Sequence, residues 1–363
     1  MGKKREKYRK YIRILTGVLF ISGTGLLAAA RKIPGFADWY SRNIYRMLEE
    51  TAGRFFGLFP FSVVEVGLYA GILFLIFLLF SCRRRPAILL DIYGFILAAL
   101  LFSYSAGCGI NYYRKPFSSY LDWEGRTVES GDLGRLCSWL TEKVNEAGEE
   151  LEKTEGIYEN MPEKGQEAMK RLAKIYPCLS GYYPRSKPVL VSQILSVQQV
   201  SGIYSPFTIE ANYNRDMVSY NIPHTICHEL SHLRGFMRED EANFIGYLAC
   251  LESEDADYRY SGYLLGWIYA GNALAKEDYA EYVRLYGLLD EKIREDLEAN
   301  NRFWARYEGK AAEAADKVND AYLKINGQAE GTKTYGRVVD LMILDFIKNK
   351  KEVSCIETGK MIE

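Results

Sequence analysis

The chain has 363 residues, 48% of them apolar and 26% charged, which excludes a disordered tail, a collagen-like repeat and a small disulfide scaffold. A net charge of −1 conceals an asymmetry: residues 1–113 hold 15 Lys/Arg against 6 Asp/Glu, whereas 114–363 hold 31 against 41. The larger half is acidic and lacks the basic surface of a nucleic-acid binder, so no nucleic-acid partner is expected.

From the N-terminus, three uncharged apolar runs stand out: Ile14–Ala30 and Val66–Cys82 with 17 residues each, and Ile92–Tyr113 with 22. About 20 helical residues cross a bilayer core, so these runs predict transmembrane helices at about 14–30, 63–82 and 90–110, with the lipid bilayer as partner. Buried helices of a soluble core are a poorer reading, because Gly71–Phe80 offers no polar side chain to water. Arg13 and Glu65 close the ends of the first two runs. Six Lys/Arg within the first ten residues, and Arg83, Arg84 and Arg85 between the second and third runs, set the orientation. The N-terminus is expected in the cytoplasm and residues 114–363 outside it. Residues 31–60 read as the outer loop. The first run could also serve as a signal peptide, with Ala28 and Ala30 at its cleavage site, and the orientation would be unchanged.

Residues 114–363 form the second expected domain, with an upper part over 114–235 and a helical lower part over 236–363. After the polar link Arg114–Ser130, the spacing of Leu133, Leu136, Leu140 and Val144 predicts an amphipathic helix, and a second helix spans Glu163–Tyr176 before Pro177. Pro188–Val191, Gln193–Val200 and Ile203–Tyr213 are extended, as a β-hairpin or part of a small sheet. Helices then fill 255–275, 277–325 and 335–349. Tyr260–Ala275 is too short and polar for a fourth span and reads as a core helix. Cys137, Cys178, Cys227, Cys250 and Cys355 match no zinc ribbon or disulfide framework and read mostly as small apolar residues.

All three histidines of the chain, His224, His228 and His232, lie four residues apart. His228-Glu229-Leu230-Ser231-His232 is an H-E-x-x-H sequence, and helical spacing puts both outer imidazoles on one face, where they can share one ion at about 2.0–2.1 Å. Glu229 then stands beside the metal, able to take a proton from water. Asn221 as N-cap, Pro223 in the first turn, the stripe Ile226, Leu230, Leu233 and a stop at Gly235 supply the helix. His224 reads as a supporting or core-polar group. A third ligand must follow: Arg238 stands where a third histidine could sit and cannot ligate, leaving Glu239 or Glu241. Glu239 shares a helical face with Ala242, Asn243, Gly246 and Cys250, all short, which permits close approach to the histidine helix. Glu241 falls on the bulky face with Phe244, Ile245 and Leu248.

The run Glu239–Asn243 resembles the E-x-x-A-D/N signature of gluzincins, which implies Glu239 as third ligand and Asn243 as the group supporting a histidine. The three spans together with Ser205–Asn212, the H-E-L-S-H motif and Glu239–Ala249 resemble a bacterial membrane-protein family catalogued as a domain of unknown function, DUF3810. The resemblance implies an α+β chain in the bacterial cell membrane: three N-terminal transmembrane helices, then a mostly helical, zincin-like extracytoplasmic domain with a small β-sheet or hairpin. It also implies that the strand holding Phe207, Thr208, Ile209, Glu210, Ala211 and Asn212 is the edge strand above the metal, pairing with an extended polypeptide substrate; an ordinary hairpin strand is the other reading. The expected function is a zinc metallopeptidase with Zn²⁺ on His228, His232 and Glu239 and Glu229 as catalytic base. The alternative is a non-catalytic zinc-binding membrane sensor or envelope protein of the same fold. The oxyanion donor stays open, with Tyr247, Tyr258 and Tyr263 near the motif in sequence.

Overall fold

The first apolar run lies in helix α1 (Gly2–Lys32), the second in α2 (Val63–Cys82) and the third in α3 (Pro86–Gly107). The computed structural model describes residues 2–121, 123, 127–328 and 337–357. At most 11% of the apolar window of each of these three helices is buried inside the protein. Their apolar side chains therefore face outward, and the helices are long and apolar enough to cross a membrane. The third helix is displaced from its expected limits. Pro86 starts it, as proline at a first helical position can, and it ends before Gly109–Tyr113, a 3₁₀ turn whose Ile110, Asn111 and Tyr112 are buried. The helix includes Asp91, just outside the uncharged run, and its carboxylate accepts hydrogen bonds from Arg9 at 2.6 Å and Arg13 at 2.7 Å on α1. Two cations holding one carboxylate is the arrangement that makes a charge tolerable beside apolar helices. Farther along, a Cβ at Gly23 would stand 3.1 Å from Phe102 Cα, so the glycine lets the α1 and α3 backbones approach.

The stretch after α1, read as a loop, is helical over residues 36–57, with two π-helical turns, Ser41–Tyr45 and Glu49–Gly53. Its buried face explains why. Tyr45, 1% exposed, donates to the Leu233 carbonyl and shares a hydrogen bond with the Tyr204 hydroxyl, while Glu49 forms a buried ion pair with Arg234.

Helices α4 (Asp132–Glu152) and α5 (Met161–Ile175) follow the expected amphipathic patterns, and α5 ends before Pro177. The sheet has three strands, β1 (Lys187–Pro188), β2 (Gly202–Ser205) and β3 (Glu210–Tyr213). Their order is β1-β3-β2, with β1 parallel and β2 antiparallel to β3. Gln193–Val197, expected to be extended, forms a short helix. There the buried Ser192 hydroxyl donates to the Val189 carbonyl and accepts the Arg215 N–H, and Asn214 donates to Ser196. The local Ser192 bond together with the long-range bonds to Asn214 and Arg215 outweighs the β-branched preference. The expected edge strand is also revised: β3 lies in the middle of the sheet, buried along its length, and β2 is an edge. Phe207, Thr208 and Ile209 belong to the connecting turn, with Ile209 at φ 52°.

The rest is helical: α6 (Asn221–Leu233), α7 (Glu239–Leu251), α8 (Ala256–Glu277), α9 (Tyr279–Tyr286), α10 (Glu291–Ala305), α11 (Lys310–Ile325) and α12 (Arg337–Glu357). Tyr260, Leu264 and Ala270 of α8 are at most 1% exposed, in agreement with a core helix. Cys137, Cys227 and Cys250 are buried free thiols and Cys178 is half-buried; the Cys355 side chain lies outside the described residues.

Candidate metal centre

Helix α6 carries the histidine motif through the core, with Ile226, Leu230 and Leu233 fully buried. Asn221 does not cap it. Tyr220 occupies the N-cap, and the Asn221 amide donates to Asn300 at 2.8 Å. At the other end Gly235, at φ 85°, adopts the left-handed conformation that stops a helix. The Gly235 N–H then bonds the His232 carbonyl and the Phe236 N–H bonds the Ser231 carbonyl. This turn has a consequence for the imidazole: the Phe236 carbonyl lies 2.8 Å from His232 Nδ1, which fixes the ring and leaves Nε2 pointing away.

Nε2 meets Glu239. The first residue of α7 has one carboxylate oxygen 3.3 Å from His228 Nε2 and the other 3.5 Å from His232 Nε2. One ligand atom from each of the three residues falls within 4.8 Å of the others, and the two imidazole planes are at 88°. Three donors converging on one point is what a single divalent ion requires. Close packing of α6 and α7 depends on the small face. A Cβ at Gly246 would stand 3.2 Å from the His228 nitrogen and 3.3 Å from His224 Nε2. Glu241 goes elsewhere, with its carboxylate 3.5 Å from the Ser118 N–H and hydroxyl, so Glu239 is the acid brought to the imidazoles. Burial pushes the Glu241 carboxyl up to about 6.

The family model for a protein of unknown function, DUF3810, matches residues 40–343. The chain belongs to the DUF3810 family. No curated protein and no solved structure matches it. The matched region of this DUF3810 protein includes the sheet and every member of the His228, His232, Glu239 cluster.

Electrostatics inside the DUF3810 cluster follow from burial and proximity. Burial acts to raise Glu239, but the His232 and His228 imidazoles outweigh it and hold the carboxyl well below its ordinary range. Burial acts to lower His232, yet the Glu239 carboxylate, assisted by Glu229 and the Phe236 carbonyl, carries it up to about 9. The Glu239 carboxylate and the His232 imidazole each favour the charged form of the other. Glu229 is 3% exposed, and its Oε2 has no hydrogen-bond partner among the described residues. Burial pushes its carboxyl up to about 7; the Glu239 charge adds to this, while the imidazoles and the Tyr204 main-chain N–H of β2 oppose it.

Glu229 lies against the edge strand. A Cβ at Gly202 would stand 2.6 Å from Glu229 Oε1, so this position admits only glycine without displacing the carboxylate. The His228 and Glu239 side chains keep 12% and 17% of their surface, so the cluster is not sealed from solvent.

His224 is buried, and its Nε2 lies 3.1 Å from the Asn243 carbonyl. Burial, helped by the His228 charge, pushes it down to about 3. Asn243 thus meets His224 through its main chain, while its side chain accepts from the Tyr269 hydroxyl at 3.2 Å. Neither contact is the direct hold on a ligand imidazole that the resemblance implied. The tyrosines near the motif in sequence lie away from it: Tyr258 donates to the Met161 carbonyl, Tyr263 packs on Trp139 and Tyr247 stacks on Phe244. Tyr269, one helix later, is brought to the site instead. Its only sequence signal was its place on a core helix.

Proposed function

We propose that this DUF3810 protein is a membrane-anchored zinc metallopeptidase whose catalytic site lies outside the cytoplasm. The supporting observation is the buried, partnerless oxygen of Glu229 beside three converging donors. An unpaired carboxylate oxygen in a low-dielectric site costs stability, and such costs concentrate where chemistry is done. His228, His232 and Glu239 fit Zn²⁺ as a nitrogen, nitrogen and oxygen donor set that leaves a coordination position free. When bound, the ion supplies Lewis acidity, acidifying water and polarising a peptide carbonyl. Glu229, buried beside these donors, would accept a proton from water and return it to the leaving amine. His224, neutral and buried, backs His228 without competing for the proton.

Strand β2, not β3, is the edge to which an extended polypeptide would add a strand, with main-chain hydrogen bonds giving affinity and side-chain pockets giving selectivity. The Tyr204 N–H facing Glu229 puts this edge alongside the base. Positive charge in the N-terminal decapeptide and at Arg83–Arg85 supports the orientation.

The test is peptide hydrolysis by the full-length protein in detergent, followed across a peptide library with and without zinc. Glu229→Gln is expected to keep its metal and lose about 10²–10⁴-fold in turnover. Unchanged cleavage by that variant removes Glu229 from the reaction. Zinc-loaded wild-type protein that cleaves no peptide sinks the peptidase reading.

A further inference from the structure

A cavity of about 470 Å³ opens on the side of the protein where the segment 36–57 meets the turn after α5. Four arginines line it, Arg42, Arg46, Arg114 and Arg234, and no aspartate or glutamate among the described residues does. Their charges are only partly answered. Glu49 pairs with Arg234 from behind, and Asp38 influences Arg42 from outside the lining. Arg46 has no ion-pair partner among the described residues and lies near enough to Arg234 for the two like charges to repel. Arg114 has its guanidinium carbon over the Phe236 ring at 4.0 Å and donates through Nη1 to the Arg234 carbonyl at 2.9 Å, but its buried Nε has no partner among the described residues.

The inner wall is fixed. Gly181 makes room for the Arg234 guanidinium, since any Cβ there would overlap it, and Arg234 donates to the Ser180 carbonyl at 3.1 Å. The outer wall is accessible: Arg42 and Arg46 are exposed, and Arg42 reaches the Tyr120 hydroxyl at 3.2 Å. Converging guanidiniums with an unsatisfied donor call for an anion, and their planar forks match phosphate oxygens. The volume lies within the range of about 300–1,000 Å³ typical of small-ligand sites, more than a bare inorganic ion fills.

Position narrows the source. Ser41, next to Arg42, donates to Asn111 at 2.6 Å, and Tyr40 donates to the Ala106 carbonyl at 3.0 Å, in the last turn of the apolar helix α3. The cavity mouth is therefore tied to the end of a helix long and apolar enough to cross a membrane, at the level where lipid headgroups lie. We propose that this cavity binds a phosphate-bearing anion, and that its occupant is the headgroup of an anionic phospholipid.

The experiment titrates the full-length protein in neutral detergent with dihexanoyl phosphatidylglycerol, dihexanoyl phosphatidylcholine and glycerol phosphate, reading heat of binding. Phosphatidylglycerol is expected to bind at least about tenfold more tightly than the other two, and Arg42→Ala/Arg46→Ala to weaken it by about tenfold or more. Both substituted residues are exposed, and an unchanged melting temperature confirms that the double variant is folded. Glycerol phosphate binding as tightly as the lipid would overturn the lipid headgroup as occupant and assign the cavity to a soluble phosphate ester. Binding by neither phosphatidylglycerol nor glycerol phosphate, or equal affinity in the double variant, overturns the site itself.

Discussion

Glu229 and Gly202 occupy one another's space. The carboxylate can lie against the edge strand only because residue 202 has no side chain: a Cβ would meet Glu229 Oε1 at 2.6 Å, its Cγ at 2.8 Å and Thr225 Cγ2 at 2.8 Å. On the proposed mechanism, Gly202→Ala is thus expected to shift Glu229 while leaving His228, His232 and Glu239 in place. Turnover should fall about 100-fold, the cost of a displacement near 1 Å, with metal content unchanged. Wild-type kcat in that variant would show that the carboxylate position is immaterial. His224 makes a separate claim about pH. Its native value of about 3 lies below the ordinary imidazole value near 6.5, so across that window the unfolded chain binds a proton that the folded chain refuses. Stability is therefore complete above the upper limit and declines as pH falls, by up to about 1.4 kcal/mol per pH unit. Melting temperatures at pH 7 and pH 5 should diverge more for wild type than for His224→Gln; equal losses would contradict the assignment.

At the scale of elements, the sheet and the second apolar helix hold each other. Glu210 of β3 accepts the Val63 and Val64 N–H groups at 3.1 and 2.9 Å and pairs with buried Lys187. Glu65 of α2 in return accepts the Leu190 and Val191 N–H groups at 2.7 and 2.9 Å. A carboxylate at a helix N-terminus answers both unpaired N–H groups and the helix dipole. Glu210→Ala leaves a buried lysine uncompensated, which costs about 3–5 kcal/mol and should lower the melting temperature sharply. Lys187→Met/Glu210→Leu should recover part of that loss, and an unchanged melting temperature in the single variant would refute the pairing. This anchor also marks where the sequence stops being legible. The histidine spacing, the small face of Glu239, Ala242, Asn243 and Gly246 and the glycine stop were readable because each is a local helical property. Strand order was not: Phe207–Asn212 and Gly202–Ser205 read as equally extended from sequence, and only long-range partners, Lys187 on one side and β2 on the other, put β3 inside. The helix Gln193–Val197 was hidden for the same reason, since its Ser192 and Ser196 hydroxyls are satisfied by Asn214 and Arg215 from beyond β3.

On the scale of the whole molecule, the helix carrying the candidate metal site is held by the segment between the first and second apolar helices. Tyr45 and Glu49, between the first and second apolar helices, reach the Leu233 carbonyl and the Arg234 guanidinium just past His232. A fragment of residues 114–363 leaves Arg234 buried without its carboxylate and Tyr204 without its hydroxyl partner. It is expected to melt non-cooperatively or at a markedly lower temperature than the full chain, and equal melting of the two would show the membrane half to be a passive anchor. The catalytic account itself depends on a single ion. Metal analysis of the purified full-length protein, by mass spectrometry of the dissolved sample, tests it most directly. The account predicts about one zinc per chain in wild type and in Glu229→Gln, and close to none in His228→Ala/His232→Ala or Glu239→Ala. Wild-type protein without zinc, or full occupancy after both imidazoles are removed, would contradict it.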